Sequence, residues 1–411
     1  MRHRYLGLID HFFTGWDGGG MLRALETAWV VREAVPGPDV DEFTDPRQVR
    51  AALSAQSAGR VTLLAVQHPH RTPDSLAHRR GLSQLLPDAR DRLRRLQRES
   101  YRRVADVVAP YQVDGPDGST LGLLCLADPA AVDPAHGRSV RRTEEVYPDI
   151  VAERAAVLAE LGCLTSSALL VPVSGGAELT TSLRATVAGL GAPAVSIVDV
   201  LGNRHRLWLM GPGPQRDELL ALAGRHPLLV ATGTHRVAAA ETAGLGGLLA
   251  LITAGPLLRV GPIHRVLAGT GLTLAQVADA WRAYGLTVHE AEPGDEPRQG
   301  SVLARAEGCA VRVELPPPAA GEPLPRIDHS AVEETLIAAA LGLDPAGPRV
   351  LAVPGGRRPA PREAGDIELL IAPVPLDDVL AVHADGRRMP RKSTYFTPKP
   401  RSGLLLAELN G

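Results

Sequence analysis

The chain has few of the residues that mark secreted, membrane-bound or metal-rich proteins. Its three cysteines, Cys125, Cys163 and Cys309, are widely spaced and form no CxxC pair, which excludes a disulfide framework and a cysteine-rich zinc site. No apolar run approaches the roughly 20 residues that cross a bilayer, and residues 1–20 contain no continuous apolar segment for export. We therefore expect a soluble protein with no membrane partner, in a reducing cytoplasm.

Aromatic residues and net charge are also scarce. Aromatics make up 3% of the chain, so its cores must consist mainly of Leu, Val and Ala. The hydrophobic fraction of 45% is sufficient for folded domains, and a length of 411 residues predicts two or three of them. The formal net charge of −2 gives no reason to expect a nucleic-acid partner.

Helical and strand-like patterns alternate irregularly along the chain. This order favours a mixed α/β or α+β fold over a regular doubly wound sheet. The periodicity predicts helices over residues 21–34, 46–55, 86–108, 151–161, 274–284 and 331–341. It predicts strands over 61–66, 121–126, 168–173, 248–252, 257–260 and 367–372, and hairpins over 194–210 and 301–315.

The segment LLVATGTHRVAAAE, residues 228–241, is the most informative stretch. It predicts a buried strand, a turn at Gly233 and an Ala-rich helix. The N–H groups and the positive dipole end at a helix N-terminus favour an anion, and Arg236 can bind a phosphate through two hydrogen bonds. The segment therefore predicts a phosphate site, although its spacing is also that of a strand-to-helix turn with solvated His235 and Arg236.

Five motifs carry a family resemblance. They are VRRTEEVYPDIVAER at 140–154, GNRHRLW at 202–208, ATGTHR at 231–236, IHRV at 263–266 and MPRKSTYFTPKPRSG at 389–403. In this order, from near Pro69 to the C-terminus, they resemble the bacterial family called domain of unknown function 1015. That family is similar to the ParB and sulfiredoxin superfamily, whose members bind nucleotides through a Gly-x-x-Arg turn, and to free serine kinases that use ADP or ATP.

The resemblance implies an α+β fold with three parts: an N-terminal α/β region at 1–120, a ParB/sulfiredoxin-like nucleotide-binding core at 121–285 and a C-terminal α/β region at 286–411. It implies ATP or ADP with Mg²⁺ as cofactor and a small hydroxylated metabolite, such as free serine, as phosphate acceptor. Glu144 stands in the place of a family His-Glu pair and would be the general base. The residues expected to contact nucleotide phosphates are Gly233, Thr234, His235 and Arg236, and those expected to bind substrate are Arg141, Arg142, His205 and Arg206.

Two departures from the family pattern leave alternatives open. The family commonly has Asp-Gly-His-His-Arg where this chain has Thr232 to Arg236, and Thr143 replaces the histidine of the His-Glu pair. A catalytically inactive scaffold and a non-catalytic nucleotide-binding regulator of the ParB type are therefore the competing functions. Thr234 occupies the place of the sulfiredoxin cysteine, which argues against sulfinic-acid repair. The acceptor, the nucleotide, the metal ligands and the oligomeric state remain open.

Overall fold

The computed structural model describes residues 20–40, 43, 46–56, 61–116, 118–133, 137–253, 258–355 and 365–409. The strands in these ranges are β1 (Leu22–Arg23), β2 (Leu25–Val31), β3 (Tyr101–Val107), β4 (Ala109–Gly115), β5 (Gly118–Ala127), β6 (Val132–Asp133), β7 (Gly137–Arg138), β8 (Val140–Arg142), β9 (Cys163–Leu164), β10 (Ala168–Pro172), β11 (Val195–Val198), β12 (Arg204–Leu207), β13 (Leu228–Thr232), β14 (Leu248–Thr253), β15 (Arg259–Gly261), β16 (Ile263–Leu267), β17 (Val288–Ala291), β18 (Ser301–Ala306), β19 (Cys309–Glu314), β20 (Val350–Pro354), β21 (Ile367–Leu370), β22 (Tyr395–Thr397) and β23 (Leu405–Glu408).

The helices are α1 (Pro46–Ser54), α2 (Leu63–Gln67), α3 (Pro73–Ala77), α4 (Leu82–Ser100), α5 (Pro148–Leu161), α6 (Gly176–Gly189), α7 (Pro214–Ala223), α8 (Thr234–Thr242), α9 (Leu274–Ala283), α10 (Asp328–Ala331) and α11 (Leu376–Ala384). A 3₁₀ turn covers Pro69–Arg71, and a π-helical segment, Val332–Ala339, directly follows α10. Helices and strands follow one another in irregular order, which confirms the predicted α+β class.

The chain divides into two compact units, each built from separate stretches of sequence. Unit 1 comprises Met1–Arg141, Val146–Leu257 and Pro398–Gly411, and unit 2 comprises Arg142–Glu145 and Leu258–Thr397. The three predicted domain ranges follow the chain in order, whereas each unit combines segments that are distant in sequence.

Unit 1 is organised around a mixed nine-stranded sheet. Its order is β11-β12-β4-β5-β14-β10-β13-β8, with β1 paired to β5. Strands β10 and β14 run parallel, while β13 is antiparallel to β10. Leu183 of α6, Leu219 of α7 and Val237 of α8 share one apolar core with the sheet residues Leu170 and Val230. A second sheet has the order β3-β2-β23-β9.

Unit 2 contains an antiparallel six-stranded sheet in the order β17-β19-β18-β21-β16-β20. Trp281 of α9 is fully buried in its core beside Leu336 and Ile337 of the π-helical segment. The indole Nε1–H donates to the Leu336 carbonyl oxygen at 3.1 Å, which satisfies the polar atom that this large buried ring carries. Helix α9 begins, as predicted, at the N-cap Thr273, whose hydroxyl accepts from the Gln276 N–H.

Three predicted elements are wrong in type or length. Residues 21–34 form β1 and β2 rather than a helix, because β2 pairs with the distant strands β3 and β23. Residues 61–66 do not form a strand, since the Thr62 hydroxyl caps the start of helix α2. The helix predicted over 86–108 ends at Ser100, and the chain continues as β3. In each case tertiary pairing or a cap overrides the local pattern.

Candidate functional site

Gly233 forms the turn between β13 and α8 in unit 1. Its φ of +94° is in the left-handed region that favours glycine. A Cβ at this position would lie 3.2 Å from both Cα and Cβ of Ala168 and 3.2 Å from Nε of Arg236. The Gly233 carbonyl accepts the N–H groups of Arg236 and Val237, at 2.8 and 3.0 Å, and so starts the helix. The backbone angle therefore favours glycine here, and a Cβ would fit only if Ala168 or Arg236 moved by a few tenths of an ångström.

The side chain of Arg236 folds back over this turn. Its Nη1 donates to the Ser167 carbonyl oxygen at 2.7 Å, just before β10 begins. The guanidinium also lines a cavity together with Gln67, Thr165 and Ser166. Arg236 therefore holds the Gly233 turn against β10 and presents a cation at the wall of a cavity.

His235 and Thr234 occupy the first turn of α8. Thr234 is buried. The His235 Nε2 accepts the N–H of Tyr147 at 3.0 Å, and the two rings stack with centroids 5.7 Å apart. Because Nε2 accepts, a neutral His235 carries its proton on Nδ1. The imidazole thus connects α8 to the residue that precedes α5.

The cavity beside Arg236 has one aliphatic wall and one polar wall. Its volume is about 40 Å³. The polar wall includes Glu153 of α5, whose carboxylate lies 3.4 Å from Arg71 Nη2, 3.9 Å from His68 Nδ1 and 3.7 Å from His70 Nε2. Burial lowers the pKa of His70, an effect that the nearby Glu153 partly opposes.

No role was predicted from the sequence for Glu153 or for the residues around it, His68, His70 and Arg71. The available signal was QHPHR at 67–71, in which two histidines and an arginine surround a proline. Arg71 Nε donates to His70 Nε2 at 2.9 Å, so a neutral His70 carries its proton on Nδ1. That nitrogen is buried and has no hydrogen-bond partner among the described residues.

Glu144 lies in unit 2, where its carboxylate binds the loop 392–394. Oε1 accepts the N–H groups of Ser393 and Thr394 at 3.3 and 3.2 Å and the Thr394 hydroxyl at 2.9 Å. Oε2 accepts the Lys392 N–H at 3.1 Å. The Glu144 carboxylate therefore holds this loop through four hydrogen bonds. The neighbouring Thr143 carbonyl accepts the N–H of Met389 at 2.7 Å.

The structure does not bring His205 and Arg206 to the Gly233 turn. Both are in β12, and β13 is five strand spacings away in the same sheet, which corresponds to about 24 Å. The His205 ring is buried between the Tyr111 hydroxyl, at 2.8 Å, and the Asp199 carboxylate, at 3.0 Å. Burial lowers the pKa of His205, although Asp199 opposes this effect.

The arginines predicted to bind substrate belong to different units. Arg141 is the last residue of its stretch of unit 1, and its Nε donates to the Arg138 carbonyl oxygen at 3.1 Å. Arg142 begins the short stretch of unit 2 that also contains Glu144. Arg206 belongs to unit 1. Its guanidinium donates to the Asp114 carboxylate at 2.5 Å and lies 5.9 Å from the ring centroid of Trp208.

The described residues contain neither a cluster of metal ligands nor a membrane-spanning helix. No group of three or more His, Cys, Asp or Glu side chains in that part of the chain is arranged to hold a metal ion. Within the same ranges, no helix is long and apolar enough to cross a membrane.

Comparison with known proteins assigns a family. A family model described as protein of unknown function (DUF1015) matches residues 86–330, more than half of the chain. The chain belongs to this family. The matched region begins within α4 and ends within α10, so it includes Glu144 and the Gly233 turn but not the motif that starts at Met389. None of the curated proteins compared with the chain matches it.

Solved structures show only distant likeness. C-terminally truncated SbnI from Staphylococcus aureus is 11% identical, with a TM-score of 0.36 over 64% of this chain and 81% of its own. A conserved hypothetical protein from Pyrococcus furiosus is 13% identical, with a TM-score of 0.35 over 65% of this chain and 92% of its own. A free serine kinase in complex with AMP is 14% identical, with a TM-score of 0.34 over 65% and 89%. Likeness at this level supports no conclusion about activity.

Proposed function

We propose that this member of the DUF1015 family binds a nucleotide at the Gly233 turn and transfers a phosphoryl group to a small hydroxylated metabolite. Free serine is the first acceptor to test. One observation carries the proposal: a glycine with a left-handed backbone and little space for a Cβ opens helix α8 beside the guanidinium of Arg236. The resemblance of ATGTHR at 231–236 to a Gly-x-x-Arg nucleotide turn supports the same assignment.

The residues at this turn fit a nucleotide phosphate. The first N–H groups of a helix have no partner within that helix and attract anions, and α8 begins directly after Gly233. A glycine allows an oxyanion to approach the backbone closely, while Arg236 supplies a permanent positive charge. Mg²⁺ binds mainly to phosphate oxygens, water and one or two carboxylates, and it would neutralise charge on the phosphoryl group during transfer.

The reaction requires a base for the acceptor hydroxyl. The acceptor oxygen forms a new bond to phosphorus, the bond from phosphorus to the leaving nucleotide oxygen breaks, and the base takes the hydroxyl proton. Glu144 is the base implied by the family resemblance, but its four hydrogen bonds to the loop 392–394 favour a structural role. Glu153 is the second candidate, because it lines the same cavity as Arg236 within unit 1.

Nucleotide binding is tested by thermal-shift and calorimetric titration with ADP, ATP, CTP and GTP, each with Mg²⁺. Wild type is compared with Arg236→Ala, with the charge-conserving Arg236→Lys and with Arg95→Ala. Arg95 is the matched control, since its ion pair with Glu99 lies on the exposed surface of α4. Binding that disappears in Arg236→Ala and persists in Arg95→Ala supports the phosphate site. A wild-type protein that binds none of the four nucleotides refutes it.

The base is identified by assaying phosphoryl transfer to serine and other hydroxylated acceptors, with product detection by mass spectrometry. Glu144→Gln, Glu153→Gln and the exposed control Glu99→Gln are compared for turnover and for nucleotide affinity. The base is the residue whose variant binds nucleotide normally but loses turnover. Nucleotide binding by wild type without transfer to any acceptor would favour the regulator of the ParB type instead.

A further inference from the structure

Three of the sequence motifs meet at one loop of unit 2, residues 390–394. Glu144, from the first motif, accepts N–H groups on one side of this loop. Arg265, from IHRV, binds its other side by donating to the carbonyl oxygens of Arg391 and Lys392, both at 3.1 Å. The loop itself belongs to the MPRKST motif and contains Lys392 at a φ of +51°. A carboxylate on the amide side and a guanidinium on the carbonyl side fix its conformation.

Arg265 also connects this loop to the π-helical segment Val332–Ala339. Its side chain is 2% exposed, and its Nη2 and Nε donate to Oε1 of Glu333 at 2.7 and 2.9 Å. A buried guanidinium must have its donors satisfied, and this one is shared between two segments. Arg265 therefore sets the distance between the loop and the π-helical segment.

An open cavity lies between these two segments. Its volume is about 360 Å³, and all of its lining residues belong to unit 2. The lining contains four glutamates and four arginines, so the charges in the wall cancel. Such a wall does not suit a polyanion or an apolar ligand, and it favours a molecule that carries one charge of each sign.

Part of this charge is already paired within the protein. Glu333 pairs with Arg265, Glu322 lies 3.8 Å from Arg326, and Arg387 lies 3.1 Å from Asp385. Arg391 also has a partner within the protein. Within the described residues, Glu145, Glu334 and Arg388 form no ion pair or side-chain hydrogen bond. Two carboxylates and one guanidinium thus remain to bind a ligand that has an ammonium group and a carboxylate group.

The π-helical segment is an independent sign of a binding site. π-helical geometry is rare, usually limited to one turn and frequent at functional sites. Here it extends over eight residues and contributes Glu333 and Glu334 to the cavity wall.

We propose that this cavity, between the π-helical segment and the loop 390–394, binds a zwitterionic amine-carboxylate metabolite: a free α-amino acid or a short peptide. Arg388 binds the carboxylate, and Glu334 with Glu145 binds the ammonium group. Arg265 and Glu144 are positioning residues, since they hold the walls and do not themselves contact the ligand. The cavity is formed by unit 2 alone, so ligand binding here does not require a nucleotide at the Gly233 turn of unit 1.

The test is calorimetric titration of the full chain, without nucleotide, against the common amino acids and di- and tripeptides. Propionate and ethylamine serve as single-charge probes that each lack one of the two groups. The expected result is binding of at least one zwitterion at micromolar to millimolar concentration and of neither single-charge probe. Peptide binding without amino-acid binding would identify the longer ligand.

Arg388→Ala and Glu334→Gln are each expected to weaken this binding by roughly 10- to 100-fold, because each loses a charge-assisted hydrogen bond. The controls Arg282→Ala and Glu290→Gln change exposed charges of unit 2 that do not line the cavity, and they leave affinity unchanged. All four side chains are at least partly exposed, so the variants are expected to fold. Two results overturn the proposal. The first is that no zwitterion binds at concentrations up to 10 mM, which corresponds to a binding free energy of about 3 kcal/mol. The second is that all four variants bind with the same affinity.

Discussion

Replacing Arg265 by methionine removes the cation that joins β16 to the π-helical segment and to the loop 390–394. The substitution keeps most of the side-chain volume but leaves Glu333, 19% exposed, without its partner. It also removes the donors to the carbonyl oxygens of Arg391 and Lys392. Unit 2 must then bury a carboxylate with no counter-charge.

The expected loss of unfolding free energy follows from the burial of the ion pair between Arg265 and Glu333. Removing one partner of a buried ion pair typically costs about 3–5 kcal/mol, and the partial exposure of Glu333 places this case near about 3 kcal/mol. In the double variant Arg265→Met with Glu333→Leu no charge is left unpaired, so we expect recovery of about 2 kcal/mol of that loss. Arg282→Met is the matched control: its pair with Asp279 is exposed and is worth at most about 1 kcal/mol.

The assay must resolve unit 2, because a chain with two units need not unfold in one step. Hydrogen exchange followed by mass spectrometry in increasing urea, read on peptides from β16 and β21, reports the free energy of opening locally. These strands pair through Arg265 and Leu369. The prediction is refuted if Arg265→Met lowers the free energy of opening by less than about 1 kcal/mol, or if the double variant recovers none of the loss. Either result would mean that the ion pair between Arg265 and Glu333 does not control the stability of this region.

Two further predictions concern the Gly233 turn and the pH dependence of unit 2. Gly233→Ala should destabilise unit 1 by about 1 kcal/mol more than Gly244→Ala. Both positions have positive φ, but only at Gly233 would the added Cβ lie against Ala168. Equal melting temperatures for the two variants would contradict this. Burial lowers the pKa of His329 to about 3 and that of His264 to about 4, so both side chains stay neutral in the folded unit. In the unfolded chain the same histidines take up protons below the ordinary histidine pKa of about 6.5. The stability of unit 2 should therefore be complete above about pH 6.5 and fall as the pH decreases towards 4, with a shallower fall in His329→Gln; hydrogen exchange in urea at pH 7.5 and pH 5 checks it, and a steeper or unchanged fall in the variant would count against it.

The sequence predicted correctly those elements whose signals are local. Helix α9 has a capping box at Thr273, and the hairpin of β18 and β19 closes over a short turn at Glu307 and Gly308. The strand, turn and helix around Gly233 follow the same rule, since the left-handed conformation of one residue determines where the strand ends. Each of these features is specified within about fifteen residues.

The site residues in unit 2 could not be placed in this way. Glu144 and Lys392 are 248 positions apart, and their hydrogen bond exists only because unit 2 includes the short stretch Arg142–Glu145. From sequence, a glutamate among arginines is equally compatible with a base, a surface ion pair and a loop anchor. Three of its four hydrogen-bond donors here are backbone N–H groups, which every residue except proline carries, so no residue pattern could reveal them.

The arrangement around the loop 390–394 is better explained by specificity than by stability. Burying Arg265 and Glu333 requires their removal from water, and an apolar pair of similar size would often be at least as stable. An apolar pair could not, however, bind carbonyl oxygens on one side of the loop while Glu144 binds N–H groups on the other. That combination accepts one loop conformation and excludes others, because each donor and acceptor has a fixed direction. A loop fixed so closely beside a charge-lined cavity has the rigidity that a binding site requires of its wall.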